Sequence, residues 1–265
     1  MSNAKKEIKT LRLILGDQLN HQHSWFKEIN SNITYVLMEL RQETDYANHH
    51  IQKVVGFFAA MQNFAKELTD KKHQVIYISL NDKSNLQSFD KNILQLISKH
   101  HFTHFEYQLP DEYRLDEYFK TFTQTLSITH QVVDTEHFLS TRQELGVFFS
   151  GKKTYLMESF YRYMRKKHQV LMDGKEPLTG KWNYDEDNRK KLPANHKATT
   201  PLTFDNDVTS ILKEIQQTDI KTIGTIDAKN FIWPINRKQS LQLLDFFVEE
   251  CLPLFGTYED AMTPA

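Results

Sequence analysis

Apolar positions along the first half of the chain alternate between two periods. Leu11-Arg12-Leu13-Ile14-Leu15, stopped by Gly16-Asp17, and the run ITYVLMEL at 33–40 are short, nearly continuous apolar stretches. That is the pattern of strands buried on both faces of a parallel sheet. From 49 to 71 the period changes, and Val54, Val55, Phe58, Met61, Phe64, Ala65 and Leu68 recur at helical spacing on one broad face. QVIYISL at 74–80 reads as a third strand, followed by a helix at 90–100 with Ile93, Leu94, Leu96 and Ile97 inward. Residues 104–109 form a fourth strand closed by Pro110, which has no N–H to donate. A helix at 111–126 and a fifth strand at Gln131-Val132-Val133 complete the series. Strands alternating with helices predict an α/β fold, a Rossmann-like doubly wound five-stranded parallel sheet with right-handed crossovers.

After about residue 136 the strand pattern stops. Residues 141–149 and 155–172 read as helices, and 173–203 is polar and turn-rich, with Gly174, Pro177, Gly180, Pro193 and Pro201. A connection of that length is functional or disordered more often than routine. Two further helices are predicted at 205–217 and 236–255. The pattern divides the chain into an α/β domain at 1–135, helices and an interdomain linker at 136–204, and a helical segment at 205–265.

Composition narrows the function classes only a little. Lys and Arg (33) balance Asp and Glu (34), so whole-chain charge points to no nucleic-acid partner and leaves room for a local basic patch. The 18 Phe and 11 Tyr suit either a bulky core or stacking on flat rings. The single cysteine, Cys251, excludes a disulfide framework, a Cys-ligated zinc site and an iron–sulfur cluster within this chain. It lies in LLDFFVEECLPLF at 243–255 and reads as an inert core thiol. No stretch approaches the roughly 18 apolar residues of a membrane span, and the N-terminus lacks a signal-peptide apolar segment, so a cytoplasmic protein with no membrane partner is expected.

In a doubly wound sheet, ligands bind beyond the carboxyl ends of the strands where strand order reverses. With the order 3-2-1-4-5 the facing loops are Gly16-Asp17-Gln18-Leu19 and Leu109-Pro110-Asp111-Glu112, and the second strand adds Met38, Glu39 and the stretch through Glu43 and Tyr46. Gly16 permits a tight turn, Asp17, Gln18 and Glu43 offer hydrogen bonds to a heterocycle, and Tyr46 offers a stacking face. Spacing alone leaves equally open that Gly16-Asp17 merely ends a strand. The chain has neither a GxGxxG nor a GxxxxGKS/T loop, which argues against a dinucleotide pyrophosphate or P-loop site. The histidine groups (His21 with His23, His49 with His50, and His100, His101 and His104) lack HExxH spacing, and no metal is expected. His49 and His50 are read as starting the long helix beside the crevice.

A second candidate region is Gly180-Lys181-Trp182-Asn183-Tyr184-Asp185, followed by Asn188-Arg189-Lys190-Lys191, with Arg162, Arg165, Lys166 and Lys167 upstream. Aromatics beside cations in a loop suit stacking on bases and contacting phosphates. They equally suit a solvated surface with Trp182 tucked against the domain. No Ser/His/Asp or Cys/His constellation stands out, and no catalytic residue is assigned.

LILGDQL (13–19), ETDYANHH (43–50), FFAAMQNFA (57–65), YLMESFYRYMRKKHQVLMDG (155–174), GKWNYDEDNR (180–189) and FGTYEDAM (255–262) run in one order through the chain. The sequence so resembles the deoxyribodipyrimidine photolyase-related proteins, the bacterial (6-4) photolyases and cryptochromes that carry an iron–sulfur cluster. The resemblance implies an N-terminal domain holding an antenna pigment, 6,7-dimethyl-8-ribityllumazine or a similar ring. It also implies a larger helical domain with FAD and a four-cysteine 4Fe–4S cluster, which repairs pyrimidine lesions in damaged DNA with light. Carried over by position, Gly16, Asp17, Gln18 and Leu19 would form the antenna site with Glu43 and Tyr46 opposite, and Trp182, Tyr184 and Arg189 would contact DNA. Ile51-Gln52-Lys53 stands where the family has a lysine-rich run. FGTYEDAM resembles the lead-in to the flavin domain, and Ala265 follows three residues later, so this chain is expected to be a shortened form without repair activity of its own. The alternatives are a stand-alone interaction or regulatory α/β module without cofactor, and a small-molecule hydrolase or transferase. The last helices are expected to expose Phe246, Phe247 and Leu254 and to form a homodimer through them.

Overall fold

The strands are β1 (Thr10–Leu13), β2 (Ile33–Met38), β3 (Gln74–Ile78), β4 (His104–Gln108) and β5 (Thr129–Val133). They pair in parallel in the order β3-β2-β1-β4-β5, the order expected from the sequence. These elements come from a computed structural model that describes residues 8–261. The longer helices are α1 (Ile51–Asp70), α2 (Phe89–His100), α3 (Tyr113–Thr123), α4 (Met157–His168), α5 (Thr209–Gln216) and α6 (Arg237–Phe246).

Successive strand residues point to opposite faces, and each face carries its own core. Tyr35 and Leu37 join the apolar stripe of α1, whereas Val36 and Met38 join α2 and α3. This is why the central strands read as unbroken apolar runs. The α2 face differs from the sequence reading at Leu94, which is exposed, while Ile93 and Leu96 are buried. The cause is angular: at about 100° per residue Leu94 falls on the side of Ile93 away from Leu96, outside the buried stripe.

The chain divides into two compact units, described separately. The first joins the residues up to Thr135 with Thr203–Leu241, so this stretch belongs to the sheet unit rather than with the final helices. Val208, Ile211, Ile215 and Phe231 extend the α1-side core, and His49–His50 pairs in parallel with Thr222–Ile223. Gly224 makes that pairing possible: its φ is +77°, and a Cβ there would lie 1.9 Å from His50 Nε2.

The second unit joins Glu136–Leu202 with the residues from Gln242 onward. Phe149 and Phe160 are its buried aromatics, and Arg165 is buried at the end of α4 with its guanidinium donating to the Val170, Leu171 and Trp182 carbonyls. Phe247 and Leu254 are exposed, as expected, but Phe246 is half-buried. Cys251 sits in a π-helical turn, Phe247–Cys251, and is half-buried rather than a core thiol. Among the described residues no helix is long and apolar enough to cross a membrane, and no group of His, Cys, Asp and Glu is arranged to hold a metal ion.

Candidate functional site

Beyond the carboxyl ends of β1 and β2 lies a cavity of ≈ 170 Å³. It sits where a parallel sheet reverses strand order, since β1 has β2 on one side and β4 on the other. Buried Ile14, Leu15, Met38, Leu40, Phe58 and Met61 make apolar walls. Gly16 keeps the turn after β1 close to α1: a Cβ there would stand 3.1 Å from both Phe57 Cδ1 and Met61 Sδ. Exposed Asp17, Tyr46, Lys53 and Phe57 form the rim.

The polar wall is one connected group. Glu43 comes from the helical turn Arg41–Thr44 after β2, and Glu112 stands at the N-terminus of α3. Arg114 joins them, donating from Nη2 to Glu43 Oε2 (3.1 Å) and from Nε to Glu112 Oε1 (2.7 Å). Its guanidinium also lies 4.3 Å from the Tyr46 ring centre. Burial raises the Glu43 carboxyl above its ordinary range, opposed by the charge of Arg114. Burial would lower Arg114, but its bonds to Glu112 and Glu43 outweigh that and hold it above its usual range. Burial and the nearby Lys53 push His49 down, which favours a neutral imidazole at neutral pH. His49 lies edge-on to Tyr46, with ring centres 4.8 Å apart.

In the second unit, Trp182 carries Arg162, Arg165 and Lys166 over its ring at 5.2, 5.4 and 5.1 Å. Lys181 lies 5.5 Å from the Tyr184 ring, the Tyr184 hydroxyl bonds Thr179, and the cleft around these residues measures ≈ 440 Å³. Arg189 pairs with Asp260 at 3.4 Å, and both side chains are exposed. Residues 136–202 carry thirteen Lys and Arg against eight Asp and Glu, a net charge of +5 in a chain of net −1.

The model of the family described as deoxyribodipyrimidine photo-lyase-related protein matches residues 12–231. The chain belongs to this family. It is 30% identical over 258 residues to a (6-4) photolyase of Agrobacterium fabrum, covering 96% of this chain and 50% of that protein. It is 27% identical over 195 residues to uncharacterized protein R852 of Acanthamoeba polyphaga mimivirus, covering 70% of this chain and 96% of that protein. The chain therefore spans about half the length of the (6-4) photolyase that it matches.

In this photolyase-related protein the structure brings Gly16, Asp17, Glu43 and Tyr46 to one cavity and sends the other candidates of the sheet domain elsewhere. Gln18 is fully buried beneath the turn. Its Oε1 accepts from Leu15 N (3.1 Å), and its Nε2 donates to the Gln108 and Leu109 carbonyls at 3.3 Å, tying the turn to the end of β4. Leu19 packs against the α1-side core. Glu39 is buried behind β2, accepting from Gln62 Nε2 (2.9 Å), Tyr77 OH (2.5 Å) and Leu80 N (2.8 Å). Burial nevertheless raises its carboxyl above the ordinary range. These three brace the walls instead of lining the cavity. Arg114 escaped the sequence reading, although it stands two residues beyond the loop expected to face the crevice.

Proposed function

We propose that the sheet unit holds a flat heteroaromatic pigment in the Gly16–Glu43–Tyr46 cavity and serves as the light-gathering part of a photolyase-related protein. One observation carries the reading: an apolar slot with a single polar wall lies at the strand-order reversal. At ≈ 170 Å³ the cavity falls below the roughly 300–1,000 Å³ of pockets that take whole drug-sized ligands, so it suits a ring system whose tail stays outside. 6,7-Dimethyl-8-ribityllumazine or a similar pigment meets that description, with Glu43 and Glu112 available to its polar edge and Tyr46 at the rim. FAD and a 4Fe–4S cluster would belong to other parts of the full-length protein, because one cysteine leaves no four-thiolate set among these residues. The chemistry on damaged DNA would be done there, and the net +5 stretch with Trp182, Tyr184 and Arg189 would offer phosphate and base contacts.

The experiment is titration of the purified chain with the lumazine and with riboflavin, followed by ligand fluorescence. Saturable quenching that a Phe58→Trp substitution abolishes is the expected result, and no binding of either ring would sink the proposal. The second reading is a stand-alone module without pigment; its stand-alone part is favoured by one observation, that this chain covers 96% of the mimivirus relative. The same titration separates the two.

A further inference from the structure

We propose that Arg114 is the positioning residue of the cavity, holding Glu43 as an ionised acceptor aimed at a ring N–H and clamping Tyr46 at the rim. The inference rests on the pigment reading and goes beyond it by naming the ligand edge, an imide-type N–H, and the group that presents its partner. Three observations carry it. Arg114 reaches both oxygens of Glu43, with Nη1 and Nη2 each 3.2 Å from Oε1 and Nη2 3.1 Å from Oε2. The same guanidinium holds Glu112 through two further bonds, so one planar group fixes both carboxylates of the wall. Its guanidinium lies over Tyr46, which remains 52% exposed on its other sides.

Arg114 is thus held by the protein, and Glu43 and Glu112 line the cavity together with Asp17, His49 and Lys53. The charged and titratable groups around Glu43 are Asp17 on the β1 turn, Tyr46 and His49 before α1, Lys53 on α1, and Glu112 and Arg114 at α3. Two of them, Asp17 and Glu112, repel a charged Glu43, and burial disfavours the charge as well. Arg114 is the cation that contacts Glu43 directly, opposing both. Without it Glu43 takes up a proton at higher pH and turns from acceptor to donor, which mismatches a ring N–H.

The test is the pH dependence of lumazine and riboflavin binding to the full chain and to Arg114→Met and Arg114→Lys. The native chain is expected to bind with less than about twofold change between about pH 6 and about pH 8.5. Arg114→Met is expected to bind about tenfold more weakly at the lower pH and to recover as the pH rises. Arg114→Lys keeps a charge without the planar fork, so it should lose affinity at every pH while keeping the flat profile. Thermal melting of the ligand-free variants checks folding, and if Arg114→Met does not fold, the Lys variant alone carries the test. Native binding with an unchanged affinity and profile in the variants would overturn the role of Arg114 while leaving the pigment reading intact. No binding by the native chain would overturn both.

Discussion

At Tyr46 one cation lies over the ring and is gripped from its edges by two carboxylates; at Trp182 three cations share one indole. The residue types are the same, but the surroundings differ. Around Tyr46 one guanidinium is held between two carboxylates, and the adjoining cavity is walled by buried side chains of the sheet and α1, leaving a small slot of ≈ 170 Å³. Around Trp182 the cleft is larger, ≈ 440 Å³, and lies in a stretch of net charge +5. Several of these cations have partners: Arg165 donates to backbone carbonyls, Arg162 pairs with Glu158 at 2.8 Å, Lys167 with Glu144 and Arg189 with Asp260. A walled apolar slot suits a ring, while a surplus of positive charge over an aromatic platform suits a phosphate backbone.

The comparison breaks most readily at the scaffold behind the cavity. Glu39→Ala strips the acceptor from Tyr77, Gln62 and Leu80 N, and should cost about 3 kcal/mol in chemical denaturation and abolish ring binding. A native denaturation midpoint in that variant would show that the buried wall does not depend on this network. Gly16→Val would push a side chain against Phe57 and Met61, and ring affinity should fall about tenfold, near 1.4 kcal/mol, with far-ultraviolet circular dichroism unchanged.

Trp182→Ala sharpens the other side. Loss of its three cation contacts should cost about 1 kcal/mol in stability. It should also weaken DNA binding in gel-shift titrations while leaving ring binding untouched. An effect on the ring and none on DNA would reverse the assignment of the two regions. Arg189→Ala is the smallest change, less than about 0.5 kcal/mol, because its pair with Asp260 is 79% and 55% exposed.

Glu39 also supplies a pH signature. Its folded carboxyl titrates above the ordinary 4.5, so the native state favours the protonated form more than the unfolded chain does. Stability from this group is fully present below the ordinary Glu range and is lost as the pH rises through the higher folded value. Glu39→Gln should remove that slope from plots of unfolding free energy against pH, and an unchanged slope would assign it to another group.

Much of the fold and part of the site were legible in the residues. The turn carrying Gly16 and Asp17 and the stretch carrying Glu43 and Tyr46 follow directly from where apolar runs stop, and the cavity lies where those runs end. Residues 203–241 were not legible as part of the sheet unit, because their apolar positions fit a helix docked anywhere. Phe231 and Ile215 join the α1-side core only because α1 offers matching apolar surface.

By itself the sequence determined the alternation of strands and helices and the family, since apolar period and residue order are properties of neighbours along the chain. Only the tertiary structure decided which polar residues face the cavity. Gln18 and Asp17 are adjacent, yet one is buried beneath the turn and the other is exposed at the rim. Glu43 finds Arg114 across 71 residues of chain. A side chain's direction is set by whichever groups the fold brings within hydrogen-bond reach, and those partners lie on other strands and helices.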